Sequence, residues 1–236
     1  MIKNKNVAVD AAIDQSKFAL DDVWVFNEEF DKYPATADLV AAGTPWRDIS
    51  AGGTAIIPAT TLPGGVAQCV TGGAGANTAI LTVKAPGAAH GLLDVSHGID
   101  AWFRFQISSL TAATYQVGLY AAADSYAVLQ FSAASVFFQF VSDDTTGAST
   151  STSSVRARAN VWYLLHMHIS HRNRQVRTTL ESPEANIIRG VPAQGGAHVV
   201  ANVDTLVPYF AAVETAAVSK ILSVDALRIA VPRYTP

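Results

Sequence analysis

His166, His168 and His171 stand close together in the chain. On an extended backbone His166 and His168 point to the same side, a spacing that metal sites use. A metal needs further donors, and no carboxylate or fourth ligand lies nearby in sequence. The three therefore read better as imidazoles on an outer strand face, and no metal or other cofactor is assigned. Glu29 and Asp31 are the one carboxylate pair at alternate positions of an expected strand. A retaining glycosidase holds two carboxyl groups about 5–5.5 Å apart, which such a spacing approaches. The chain has only five glutamates and no third carboxylate at the next alternate position on either side of this pair, so no catalytic residue is assigned and no enzyme is expected.

Half of the ten arginines fall between positions 156 and 177: Arg156, Arg158, Arg172, Arg174 and Arg177. Grouped guanidinium groups recognise carboxylates or phosphates, or meet an acidic neighbour, and a solvated hairpin tip is the alternative. Arg172, Arg174 and Arg177 are the partner-binding candidates. Tyr33, Trp46 and Trp102 are the candidates for stacking on a sugar, although each is equally suited to pack a core. The turn Gly72-Gly-Ala-Gly-Ala-Asn77 has the composition of a phosphate cradle. That use needs a helix to follow, and a strand follows here, so it reads as a turn between paired strands.

The elements that must position these groups are strands. In Trp162–Ile169, Tyr163, Leu165, Met167 and Ile169 share one parity while Trp162, Leu164, His166 and His168 share the other, the period of a strand buried on one face. The alternation resumes at Val176, Thr178 and Leu180, which predicts a long antiparallel hairpin turning at Arg172-Asn173. Ala101–Ile107 alternates in the same way, with Phe103, Phe105 and Ile107 inward. Tyr115–Tyr120, Tyr126–Phe131, Ser135–Val141, Val207–Val213 and Lys220–Pro232 supply further strands. The polar run from Ser142 to Ser154 predicts a mobile surface loop, and Ala185 to Gly196 another.

At 236 residues with half of them hydrophobic and 15% charged, the chain can bury a full core. A formal net charge of −3 argues against a general nucleic-acid binder. Cys69 is alone, so no internal disulfide forms and a buried strand position is its simplest home. No apolar run reaches the ~20 residues that span a bilayer, and the N-terminus lacks the apolar core of a signal peptide. The chain is thus expected to be made and folded in a cytoplasm. Residues 1–22 settle on neither helical nor strand period. They are expected to form an attachment arm in which Val7, Val9, Ile13 and Phe18 bind a partner, with a frayed terminus or one short helix packed on its own domain as the alternative, ahead of one domain over residues 23–236.

Many short strands and almost no helix predict an all-β sandwich of two antiparallel sheets. Trp102-Phe-Arg-Phe, Val117-Gly-Leu-Tyr, Ala127-Val-Leu-Gln-Phe, Asn160-Val-Trp-Tyr and Val224-Asp-Ala-Leu-Arg-Ile resemble strands of the concanavalin A-like lectin and glucanase jelly roll, as found in structural proteins of tailed bacteriophages. The N-terminal Val7-Ala-Val-Asp-Ala-Ala-Ile-Asp-Gln-Ser-Lys17 is similar to attachment segments of phage fibre and decoration subunits. The resemblance implies a jelly-roll sandwich acting as a non-enzymatic virion protein, a capsid decoration or cement subunit, or a head fibre. It implies capsid or tail proteins as partners and a homo-oligomer, a trimer by preference. The alternative is a tail-fibre or lectin-like module that binds a receptor or glycan.

Overall fold

In the computed structural model, the structure describes residues 23–33, 35–41, 44–52, 55–58, 65–83, 93–123, 125–182, 187–191, 198–201 and 206–232. The strands in chain order are β1 (Val23–Glu28), β2 (Trp46–Asp48), β3 (Ala55–Pro58), β4 (Ala67–Val70), β5 (Thr78–Val83), β6 (Ile99–Ile107), β7 (Ala113–Ala122), β8 (Ser125–Ser132), β9 (Phe137–Asp144), β10 (Ala148–Arg156), β11 (Trp162–Ile169), β12 (Val176–Ser182), β13 (Ile187–Val191), β14 (Val207–Glu214) and β15 (Ile221–Pro232). A single helical turn, α1 (Thr36–Leu39), and a 3₁₀ turn at Val95–His97 interrupt them.

The strands form two antiparallel sheets. One has eight strands in the order β13-β12-β11-β6-β15-β4-β3, with β1 also on β15. The other has seven, in the order β10-β9-β8-β7-β14-β5-β2. The twelve-residue β15 pairs with β6 along one side. Its other side is shared, with Ile221–Val224 on β4 and Leu227–Pro232 on β1. A register shift between Val224 and Ala226 marks the junction, so Asp225 sits in a bulge.

The alternation read from the sequence puts the core where it belongs. Phe103, Phe105 and Ile107 of β6 and Tyr163, Leu165, Met167 and Ile169 of β11 are buried between the sheets. They meet Tyr115, Phe131, Phe138, Phe140 and Phe210 from the seven-stranded sheet. Rings of Phe105, Phe138 and Tyr163 touch at 4.9–6.0 Å between centroids, contacts worth ~0.5–1.5 kcal/mol each beyond their burial. Cys69 is buried among them, and burial pushes its thiol pKa up to about 12. It is a packing residue.

Three expectations are corrected. The polar run after Ser142 is no loop: β9 continues to Asp144 and β10 returns along it. Its inward residues Ser151, Ser153 and Val155 are buried, and Ser151 is hydrogen-bonded to buried His198, which makes a serine-rich strand tolerable in the interior. Part of the second predicted loop is the edge strand β13. Finally, β4 and β5 are not paired: β4 lies in the eight-stranded sheet and β5 in the seven-stranded one, so the glycine-rich turn carries the chain across the sandwich.

That turn is shaped by an anion after all, one supplied by the chain itself. The fully buried Glu214 carboxylate accepts from Gly73 N at 2.9 Å, Gly75 N at 2.7 Å and Asn77 Nδ2 at 2.9 Å. Burial pushes its pKa up, but hydrogen bonds from the Thr71 hydroxyl, Gly75, Gly73 and Asn77 outweigh this and leave it lowered. Gly73 and Gly75 have φ of 75° and 84°, a region in which a side chain is strained.

Candidate functional site

The outward face of the seven-stranded sheet carries a small second cluster, separate from the core. Val128, Val141, Tyr209 and Ala211 form it, with Ile80, Tyr120 and Tyr126 against them. Strand register explains the grouping: Tyr120 on β7 faces Tyr126 on β8 and Val207 on β14. Tyr209 faces Gly118, one step diagonal to Tyr120. The three rings stack nearly parallel, Tyr209 on Tyr120 at 4.7 Å and 21°, and Tyr120 on Tyr126 at 6.1 Å and 19°. Glycine is required at the centre. A Cβ at position 118 would lie 2.3 Å from the Ala127 carbonyl oxygen.

Beside the tyrosines runs a row of amides. Gln116, Gln130 and Gln139 are cross-strand neighbours on β7, β8 and β9, and Thr152 of β10 ends the row. Gln116 Nε2 donates to Gln130 Oε1 at 2.8 Å. The three glutamines are half-buried, and Thr150 and Thr152 are exposed. Burial raises the Tyr126 hydroxyl pKa and takes that of Tyr209 up to about 12, so both stay neutral donors at physiological pH. None of the three tyrosine hydroxyls has a hydrogen-bond partner among the described residues. The face thus offers the half-buried rings of Tyr120 and Tyr126 beside Tyr209, which is only 9% exposed, together with hydroxyls and amides, and Asp143 opposite Tyr126 is its nearest charge. Such a mixture packs against the C–H face of a sugar ring and pairs with its hydroxyls.

The outward face of the eight-stranded sheet holds the histidines. Trp102 on β6 stacks on His166 of β11 at 4.7 Å and 1°, and Arg228 of β15 lies 5.2 Å over the same indole. Because β6 runs between β11 and β15, these two groups cover opposite faces of the ring. Asp100 Oδ1 binds His166 Nε2 at 3.1 Å and His168 Nδ1 at 3.0 Å. Arg104 pairs with Asp225 and lies 4.9 Å over the Trp162 ring. Asp100 is the carboxylate the sequence could not supply, and it meets both imidazoles on one oxygen. Among the described residues no group of three or more His, Cys, Asp and Glu is arranged to hold a metal. His171 is exposed in the hairpin turn, away from this pair on the strand face.

Two of the three stacking candidates are corrected. Trp46 is 0% and Tyr33 6% exposed, and both donate to Oε2 of buried Glu28, at 3.1 and 3.0 Å. Phe30 N and Lys32 Nζ complete the partners of that carboxylate. Trp102 is partly exposed, but both of its faces are occupied. The Glu29 and Asp31 pair is corrected too: β1 ends at Glu28 and Phe30 between them has φ 58°, so the two do not share a strand face. The arginines separate. Arg172 and Arg174 sit in the turn after β11, where Arg174 helps hold the Asp144 carboxyl pKa low behind the larger effect of Thr146. Arg177 faces His168 across the strands, and Arg156 lies at the far end of β10. Val7, Val9, Ile13 and Phe18 lie outside the described residues, as does the whole expected arm.

The tyrosine face was missed because Tyr209 comes from β14, far in sequence from the β7–β8 hairpin that carries Tyr120 and Tyr126. The available signal was parity: Tyr120 and Tyr126 fall opposite to the inward Tyr115, Val117, Leu119, Leu129 and Phe131.

The sequence matches no protein-family model, and no curated protein matches it. Solved structures share the fold. A protein of unknown function from Shewanella oneidensis MR-1 superposes with a TM-score of 0.62 at 13% identity, over 90% of this chain and 87% of that one. Winged bean acidic lectin complexed with methyl-α-D-galactose gives 0.58 at 10% identity, over 91% and 100%. The CBM2 module of the evolved Dit of Lactobacillus casei BL23 phage J-1 gives 0.56 at 9% identity, over 91% and 98%. The sandwich is a concanavalin A-like jelly roll.

Proposed function

We propose that this chain is a non-enzymatic glycan-binding module, and that Tyr120, Tyr126, Tyr209, Gln116, Gln130 and Gln139 form its site. The observation that carries the reading is the stack of three tyrosines beside an amide row, with hydroxyls that no described group satisfies. Buried or half-buried donors left without partners gain most from a ligand that brings its own hydroxyls. The lectin and the phage module among the structural neighbours support the same choice.

The setting we propose is a phage particle, with residues 1–22 as the attachment arm and the sandwich displayed outward as a receptor- or glycan-binding subunit. This keeps the virion expectation and moves its emphasis from capsid decoration to recognition. A glycan array probed with the purified protein and with Tyr120→Ala/Tyr209→Ala tests the site. Retention of defined glycans by the first and not the second is expected; a blank array from a folded protein overturns the reading. Cosedimentation of full-length protein and of a version starting at Asp21 with particles lacking the subunit tests the setting, where binding by full-length protein alone is expected.

A further inference from the structure

The two ends of the sandwich differ in kind. The described residues at one end include the loops at residues 71–77, 108–112, 132–137, 156–161 and 215–219. Of the five large hydrophobic residues exposed among the described residues, four sit here: Val218 at 60%, Val136 at 54%, Leu110 at 37% and Phe137 at 36%. Alanines fill much of the remaining loop surface, with Ala74, Ala76, Ala133, Ala134, Ala216 and Ala217 all exposed. None of these five loops contains an aspartate or glutamate, and their charged residues are Arg156 and Arg158, both exposed. The opposite end, by contrast, carries Asp94, Asp143 and Asp144 with Arg172 and Arg174.

The loops are held before any partner arrives. Asn160 N donates to Ile107 O at 2.8 Å, Ala157 N to Val136 O at 3.0 Å and Thr215 N to Ala112 O at 3.0 Å. Ser219 Oγ donates to Thr71 O at 2.8 Å, and Arg158 N donates to the hydroxyl of buried Tyr163 at 2.9 Å. Four apolar side chains are thereby fixed outward at one end with two cations among them, so a ligand there need not order the chain.

We infer that this end docks on an anionic lipid surface. Apolar side chains entering an acyl boundary while arginines meet phosphates are the two components such a surface rewards, and carboxylates would oppose it. The whole chain carries −3, so it has no general attraction to anionic vesicles and any binding must come from a local patch. A second copy fits less well. Two such ends face to face would bring four arginines together with no acid in the loops. The opposite end offers aspartates, but none of the large exposed hydrophobic residues described lies there.

The test is cosedimentation with phosphatidylcholine vesicles with and without phosphatidylglycerol. The native protein should pellet only with the anionic vesicles. Partitioning should fall at least ~tenfold for Val218→Asp and for Arg156→Glu/Arg158→Glu, since each cation near such a surface contributes substantially. Arg172→Glu/Arg174→Glu, at the other end, should leave it unchanged. Circular dichroism confirms folding, which these exposed positions should not disturb. No pelleting with either vesicle overturns the inference, as does equal loss from the Arg172/Arg174 variant. An oligomer in sedimentation velocity that Val218→Asp dissolves would overturn it in favour of self-association. None of these readouts involves the tyrosine face.

Discussion

Each sheet carries an aromatic stack on its outward face, and the two are built for different ends. On the eight-stranded sheet Trp102 is enclosed by His166 and Arg228, Asp100 serves two histidines, and Arg104 is shared between Asp225 and Trp162. Its charges answer one another within the chain. On the seven-stranded sheet the stack of Tyr209, Tyr120 and Tyr126 is neutral, and its hydroxyls have no described partner. The charged groups of the first face pair within it, whereas the tyrosine hydroxyls of the second have no partner among the described residues. A ring at the surface is therefore a recognition element only where its own chain has not already occupied it.

The largest effect is expected at the tyrosines. Tyr120→Ala/Tyr209→Ala should weaken glycan binding ~100-fold, about 2.7 kcal/mol, whereas Trp102→Ala should leave affinity within about twofold by calorimetry, a change below ~0.4 kcal/mol. If the tryptophan variant loses binding instead, the two faces have been assigned the wrong way round. Trp102→Ala should show its effect in stability, lowering it by ~1–2 kcal/mol in urea unfolding through loss of the arginine and imidazole contacts. Gln130→Ala, which removes the acceptor of Gln116, should weaken binding ~fivefold, about 1 kcal/mol. Asp100→Asn should change stability by no more than ~0.5 kcal/mol, because the partners are a third or more exposed.

A pH dependence sharpens the contrast further. His198 is buried, with Nδ1 2.9 Å from Ser142 Oγ and Nε2 2.7 Å from Ser151 Oγ. Burial lowers its pKa, so the folded state favours the neutral ring. As pH falls below ~6.5 the unfolded chain takes up a proton that the native protein refuses. The stability due to His198 is thus present above that pH and lost as acid protonates the site. Urea midpoints should fall more steeply in native protein than in His198→Gln, whose amide can bridge both hydroxyls without titrating. Identical slopes would remove His198 as the cause. The strands it holds, β9 and β10, carry Gln139, Thr150 and Thr152, so this loss should reach the amide row and not the Trp102 ladder.

Much of the fold was legible because inward residues declare themselves by period. Tyr163, Leu165, Met167 and Ile169 could be placed without any neighbour in view. The strand β10 could not, since Ser151 looks like solvent-facing chain until His198, 47 residues later, is set against it. Trp46 and Tyr33 carried the right chemistry for a sugar site, but their common partner Glu28 turns them inward. Of the candidate site, the individual tyrosines were visible as outward-parity residues. Tyr209 joins them only because β14 lies beside β7, a strand order that no local pattern encodes.

The bond between Glu214 and the glycine-rich turn bears on the order in which the chain is made. Gly73 and Gly75 emerge from a ribosome some 140 residues before the carboxylate that shapes them, the separations being 141 and 139. Until β14 is synthesised the crossing between the sheets has no anchor, and contacts of such long range form late. The glycine-rich crossing therefore awaits nearly the whole chain, and a nascent chain ending before Glu214 would hold β4 and β5 without β15, the strand that ties β4 to β6.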